Sequence, residues 1–304
     1  AAFSLSLRLA LPAGGQEAAP YPSLEAWGEA LFFDTNLSAT RTQSCAPCHD
    51  PARAFTDPRE TEAGLAVSLG DDGHSLGDRN APTAAYAALT PPFGRAAKPN
   101  LYRGGLFHDG RAADLAAEAA GPPLNPIEMG LKDAAAVGAR LKEKPATVGA
   151  FEALYGTGVL DDPKRGYRAF AEAIAAYERS EVFQPFDSRY DRALRGEIAL
   201  SAEEELGRVL FFSNQFTNCS QCHRLHPQGG AAREPFTTYE FHNTGVPANA
   251  AARAANGSGP GRVDRGLIDN PAVRDRRQLG RFKVPTLRDV AGTRPHMHNR
   301  VLPD

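Results

Sequence analysis

The chain has 304 residues, 42% of them hydrophobic, with 34 basic and 36 acidic side chains and a formal charge of −2. That length suggests about two domains, and the apolar share allows a packed core and excludes a collagen-like or wholly disordered chain. The near-neutral balance offers nothing to a nucleic acid or an anionic membrane surface, and no apolar run reaches the ~18 residues of a membrane span.

In chain order, AAFSLSLRLALP alternates Phe3, Leu5, Leu7 and Leu9 with Ser4, Ser6, Arg8 and Ala10. That is a strand period, not the continuous apolar stretch of an export signal, so the chain reads as a mature form without a leader. SLEAWGEALFF (23–33) opens on a Ser cap with acids in the first turn, which predicts a helix. It leads into SCAPCHD (44–50), where Cys45 and Cys48 are followed at once by His49. DAAAVGARLKEKPATVGAFEALYG (133–156) predicts a helix in two pieces around Pro145, and YRAFAEAIAAYERS (167–180) places Phe170, Ile174 and Tyr177 on one helical face. Between them, GTGVLDDPKRG (156–166) is rich in Gly, Asp and Pro and marks a boundary, giving domains 1–160 and 161–304. SAEEELGRVLFF (201–212) repeats the capped start and leads into NCSQCHR (218–224), with Cys219, Cys222 and His223. VPANAAARAANGSGPGRVDRG (246–266) reads as a long surface loop.

The two Cys-x-x-Cys-His motifs use all four cysteines of the chain. Disulfides would leave the adjoining histidines unexplained. A zinc site would need the two halves to meet and would also ignore the histidines. Covalent c-type haem explains every position: each thiol adds to a haem vinyl group, and the next residue supplies a nitrogen to the iron. Two haems c are expected, on Cys45, Cys48 and His49 and on Cys219, Cys222 and His223. Such attachment usually happens outside the cytoplasm, which points to the periplasm, and no further cysteine is left for a disulfide. Gly28 and Gly207 each stand three residues before a Leu-Phe-Phe that precedes a motif, so the halves look duplicated. The expected fold is mainly α: two c-type cytochrome domains.

GLFHDGRAADLAAEAAGPPLNPIEMG, from Gly105, together with RNAPT (79–83), FHNTGVP (241–247), FKVPTLRDVAGTRPHMH (282–298) and the two haem motifs, resembles the bacterial di-haem cytochrome c peroxidase/MauG family over about residues 25–298. The early alternating segment, the short loop at His74 and RNAPTAAYAALTPPFG look most like the MbnH-type, methanobactin-associated branch. The resemblance implies a peroxidatic first haem with His49 as proximal ligand, and a second haem, on His223, that feeds or shares oxidising equivalents. It makes Glu128 the distal acid/base, since the proton of bound peroxide must move to the leaving oxygen. Pro122 matches a proline against the open face of that haem. Glu118 stands where the family usually has Gln, and unlike an amide it can titrate; it serves the distal pocket or the helix surface. Asn80, Thr293 and Pro295 match residues that hold a structural calcium ion, as hard oxygen donors can.

Two departures stand out. His108 occupies the place of the family's inter-haem tryptophan, and the chain's one tryptophan is Trp27. The family's distal ligand to the second haem usually comes well after the position of His298, which leaves Met297, flanked by His296 and His298, as a candidate. His74 is either a plug on the first haem or a surface histidine; His226 and His242 carry no assigned role. The resemblance implies a hydrogen-peroxide-dependent oxidoreductase that forms a high-valent iron state and oxidises a side chain, a tryptophan, of a partner protein. Two alternatives are a peroxidase fed by a small electron-transfer protein and a non-enzymatic di-haem electron carrier. A pure carrier needs no distal acid.

Overall fold

The structure is a computed structural model that describes residues 21–223, 225 and 233–303. The alternating opening segment and His226 lie outside the described residues. The helices are α1 (Leu24–Phe32), α2 (Leu115–Ala119), α3 (Ala134–Lys142), α4 (Pro145–Tyr155), α5 (Pro163–Glu178), α6 (Arg189–Leu194), α7 (Ala202–Phe211) and α8 (Ala250–Ala255). Among the described residues, sheet is confined to two short antiparallel pairs, β1 (Gly94–Arg95) with β2 (Tyr102–Arg103) and β3 (Phe241–His242) with β4 (Phe282–Lys283). The fold is mainly α, as expected.

The capped starts form as the sequence dictates. The Ser23 Oγ accepts from the Ala26 amide at 3.1 Å and opens α1. Ser201 and Glu204 close a reciprocal capping box at the start of α7. The helix expected from residue 167 begins instead at Pro163, because the Asp162 carboxylate accepts from the amides of Lys164 and Arg165. Proline at the first helical position has no amide to leave unpaired.

Helices α1, α2 and α3 pack on α5 and enclose one core, in which Trp27, Leu31, Phe32, Phe151, Phe170 and Ile174 are buried. α5 and the aromatic residues after it, Phe183 and Phe186, belong to this core, although they follow the 156–166 stretch where the sequence placed a boundary. A smaller core of Tyr102, Phe241, Leu267 and Val273 lies under the two strand pairs. The 246–266 stretch differs from expectation, since it folds part of its length into α8. Asn249 caps an alanine run there, Ala252 packs with Ala66 and Val67, and buried Arg253 reaches Asp78 at 2.9 Å. The surrounding Gly and Asn hid that short amphipathic turn.

The two duplicated helices sit in unlike surroundings. α1 buries Trp27, Gly28, Leu31 and Phe32, while α7 buries nothing and leaves Leu206 58% and Val209 52% exposed. A Cβ on Gly28 would lie 1.9 Å from the Ala173 carbonyl oxygen on α5, whereas one on Gly207 would meet nothing within 4 Å. Gly28→Ala should therefore destabilise the protein by about 1–3 kcal/mol or more, from overpacking against backbone. Gly207→Ala should be neutral, or stabilising by up to about 1 kcal/mol from helix propensity. Thermal melts of the two variants check the contrast.

Candidate active site

Each motif loop is a tight turn fastened to what precedes it. The amides of Cys48 and His49 both donate to the Cys45 carbonyl, at 3.2 and 3.0 Å, and those of Cys222 and His223 repeat this on Cys219 at 3.2 and 3.0 Å. The Cys45 amide donates to the Phe32 carbonyl at 3.1 Å, which hangs the first loop from the end of α1. The turns aim the histidines alike. His49 Nδ1 lies 3.1 Å from the Phe55 carbonyl oxygen, and His223 Nδ1 lies 3.0 Å from that of Phe236. A carbonyl can only accept, so Nδ1 carries the hydrogen and Nε2 keeps its lone pair, the arrangement of a ligating histidine. Burial lowers the pKa of both rings and holds them neutral.

Each histidine, with its two cysteines, lines its own cavity. The first measures about 620 Å³ and the second about 570 Å³. All four cysteines are free thiols, and the pairs line different cavities, so neither the disulfide nor the shared-zinc reading holds. Burial pushes the Cys48 thiol up to about 12 and Cys45 up as well, despite the Arg59 guanidinium 3.2 Å from the Cys48 sulfur.

Glu128, Glu118 and Pro122 all line the first cavity. Glu128 rides on a compact turn. The amides of Asn125 and Met129 donate to the Pro122 carbonyl, at 3.1 and 3.2 Å, and the Leu131 amide donates to Pro123 at 2.9 Å. The turn is anchored from outside by the Ala39 amide on the Met129 carbonyl at 2.8 Å and the Asp71 amide on the Glu128 carbonyl at 2.7 Å. The Gln43 side-chain amide adds a second tie to the Glu128 carbonyl at 3.3 Å. Burial raises the Glu128 pKa above the usual carboxylate range. Burial, and then the charge of Glu128, push Glu118 up to about 7. Glu118 can therefore hold a proton near neutral pH, and the Arg111 guanidinium pulls the other way on both acids.

His108 stands between the two cavities and lines both, as do Phe107 and Asn80. Its Nε2 lies 3.2 Å from the Asn80 carbonyl oxygen, and its own carbonyl accepts from the Lys283 amide of β4 at 3.0 Å. Burial, and then the nearby Arg79 and His298, lower its pKa to about 3, so the ring is neutral. Trp27 is packed edge-on to Phe151 in the first core and lines neither cavity.

Met297 and the pair Thr293 and Pro295 line the second cavity, as does Asn80. Met297 is 40% exposed. The Asn80 Oδ1 is buried and has no hydrogen-bond partner among the described residues, which is the condition of an oxygen left free for a cation. His298 stacks on Phe282, with ring centroids 3.6 Å apart, and is engaged in packing. His74 is exposed on a turn, with its amide on the Asp72 carboxylate at 3.0 Å, and lines neither cavity.

The di-haem cytochrome c peroxidase family model matches residues 22–199. The chain is 54% identical to the methylamine utilization protein MauG of Paracoccus denitrificans, over 98% of this chain and 77% of that protein. The diheme peroxidase BthA of Burkholderia thailandensis superposes with a TM-score of 0.85 at 34% identity, over 93% of this chain and 70% of that one. A MauG-like protein associated with microbial copper homeostasis superposes less closely, with a TM-score of 0.68 at 29% identity, over 94% of this chain and 75% of that one. The chain belongs to the di-haem cytochrome c peroxidase/MauG family. It is thereby a member of a family of peroxide-dependent oxidoreductases that carry two haems. No helix among the described residues is long and apolar enough to cross a membrane.

The residues present fit the family's haems: two cavities, each with a thiol pair and a neutral imidazole whose free nitrogen is set by a backbone carbonyl. One cavity group escaped the sequence reading. Glu178, the last residue of α5, lines the first cavity with Glu118 and Glu128. The signal was present, since Phe170, Ile174 and Glu178 follow one another at intervals of four on the apolar face.

The buried His108 makes stability pH-dependent. Its folded pKa near 3 lies below the ~6.5 of an unfolded histidine. As pH falls through 6.5 the unfolded chain binds a proton that the folded chain excludes, so stability drops between pH 6.5 and about 3. His108→Gln should flatten that slope, as read from denaturant unfolding at several pH values.

Proposed function

We propose that this protein uses hydrogen peroxide to oxidise a side chain, a tryptophan, on a partner protein in the periplasm. The observation that carries this reading is a carboxyl, Glu128, fixed on the cavity that His49 lines, with His108 shared between that cavity and the one that His223 lines. Cys45, Cys48 and His49 would hold one haem c, and Cys219, Cys222 and His223 the other. Bound there, the haems would supply peroxide cleavage at the first site and storage of an oxidising equivalent at the second. Glu128 takes the proton from the near oxygen of peroxide and returns it to the leaving oxygen. Pro122 fills the face beside it with a ring that donates no hydrogen bond. Cavities of about 620 and 570 Å³ would be taken up by the haems themselves, so the oxidising equivalents leave through the structure to a partner at the surface.

His108, with Phe107, supplies the material between the two sites. A neutral imidazole pinned to a backbone carbonyl is a fixed spacer there, in place of an indole. Asn80, Thr293 and Pro295 are proposed to hold calcium. The orphaned Asn80 Oδ1 supports this, and the Asn80 backbone carbonyl meets His108 on its other side. Met297 is the candidate distal ligand at the second site. The two cytochrome units divide after Phe186 rather than at residue 160, because α5 shares the core of α1.

A second reading is a peroxidase that takes electrons from a small redox protein, which the likeness to a diheme peroxidase supports. A mere electron carrier is disfavoured by three glutamates, Glu118, Glu128 and Glu178, on one cavity. Mixing enzyme, peroxide and candidate partners separates the first two. A stable mass change on a partner side chain is expected, whereas turnover of a reduced cytochrome with no modified partner would establish the second. Glu128→Gln should slow the reaction with peroxide about 10²–10⁴-fold, measured by stopped flow. An unchanged rate would remove Glu128 from the reaction. Soaking with a chelator should alter the absorption spectrum of the two-haem protein, and Asn80→Ala should reproduce the change without chelator.

A further inference from the structure

We propose that Glu178, together with Glu118, is a buried proton store that serves the first cavity. Glu178 closes the apolar face of α5, which packs on both α1 and α2. It is only 4% exposed, and its Oε2 has no hydrogen-bond partner among the described residues. It lines the cavity with Glu118, which projects from α2. A carboxylate placed there without a cation would be an uncompensated buried charge, which is strongly unfavourable. The adjacent Arg179 is its one opposing positive group of note, while Glu118 adds a like charge. Glu118 in turn faces Glu128, Arg111 and Lys283. Two carboxyls on one cavity relieve this repulsion when they keep a proton. Burial and the Glu118 charge both raise the Glu178 pKa, in agreement with the geometry.

The proposal rests on the peroxide reading for its purpose. Reducing one hydrogen peroxide to two waters breaks the O–O bond and consumes two electrons and two protons. The electrons come from the partner protein. Glu128 moves the proton that peroxide brings and ends as it began, so it supplies neither of the two. The Glu118–Glu178 pair delivers one of them to the oxygen that stays in the cavity and regains it from solvent. The other comes from solvent directly. Gln at position 118 could relay a hydrogen bond but could not hold the proton, so the acid at this position and Glu178 act as a unit.

The test compares the two-haem protein with Glu178→Gln and Glu118→Gln. In infrared spectra of the resting protein at neutral pH, before any peroxide is added, a protonated-carboxyl band that shifts in heavy water is expected. It should be lost or displaced in each variant. In stopped flow, the first reaction with peroxide should keep its rate in Glu178→Gln, while the later proton-consuming return to the resting spectrum slows by at least about tenfold. Persistence of the band in both variants overturns the proposal, and so does loss of the band with an unchanged return rate. If Glu178→Gln fails to fold, Glu118→Gln alone decides, since that side chain is only partly buried. A wild-type protein that shows the band but ignores peroxide would sink the peroxide reading and leave the proton-sharing pair standing.

Discussion

Helix α1 can lie against α5 only because Gly28 presents no side chain to the Ala173 carbonyl. Much of the first site hangs from that contact. The end of α1 holds the Cys45 amide and thereby sets the loop that aims His49. The far end of α5 brings Glu178 to the same cavity, and α2, packed on α5, brings Glu118. A cofactor wall and an acidic wall are thus fixed relative to one another by a single helix crossing. Close backbone approach makes that crossing stiff, because no flexible side chain lies between to absorb a shift.

The electrostatics of the interior follow one rule. Burial penalises charge, lowering the pKa of His49, His108 and His223 and raising that of Glu118, Glu128 and Glu178. Buried aspartates hydrogen-bonded to a guanidinium, such as Asp109 and Asp264, shift the other way. Several of the charges that remain inside are paired. Arg79, from the RNAPT stretch, bridges Asp109 and Asp264 at 2.7 Å each and ties together three loops around the first cavity. Arg288 reaches Asp191 in the second half, with both side chains buried.

The duplication is kept in the turn that closes each motif and lost in packing. Both motif loops close on the first cysteine carbonyl, and both histidines rest on a downstream carbonyl. Yet α1 is enclosed and α7 lies open, with Gly207 in empty space. The acids follow the same asymmetry, since Glu118, Glu128 and Glu178 all gather on the first cavity. The difference between the halves therefore lies in what surrounds each motif and not in the motif.

The sequence by itself determined the local features. Thiol spacing and the adjoining histidine named the cofactor class, and Ser23 and Ser201 placed two helix starts, because these effects act over one turn of chain. NPIEM and RNAPT marked Glu128 and Asn80 through resemblance. Only the tertiary structure decided where those residues meet. It placed His108 on both cavities, freed the Asn80 oxygen, put His74 on the surface and brought Glu178 in from 50 residues beyond Glu128. It also joined α5 to the core of α1 across a stretch that looks like a linker. Such facts depend on which faces bury which, and burial is set by partners distant in the chain that no local spacing records.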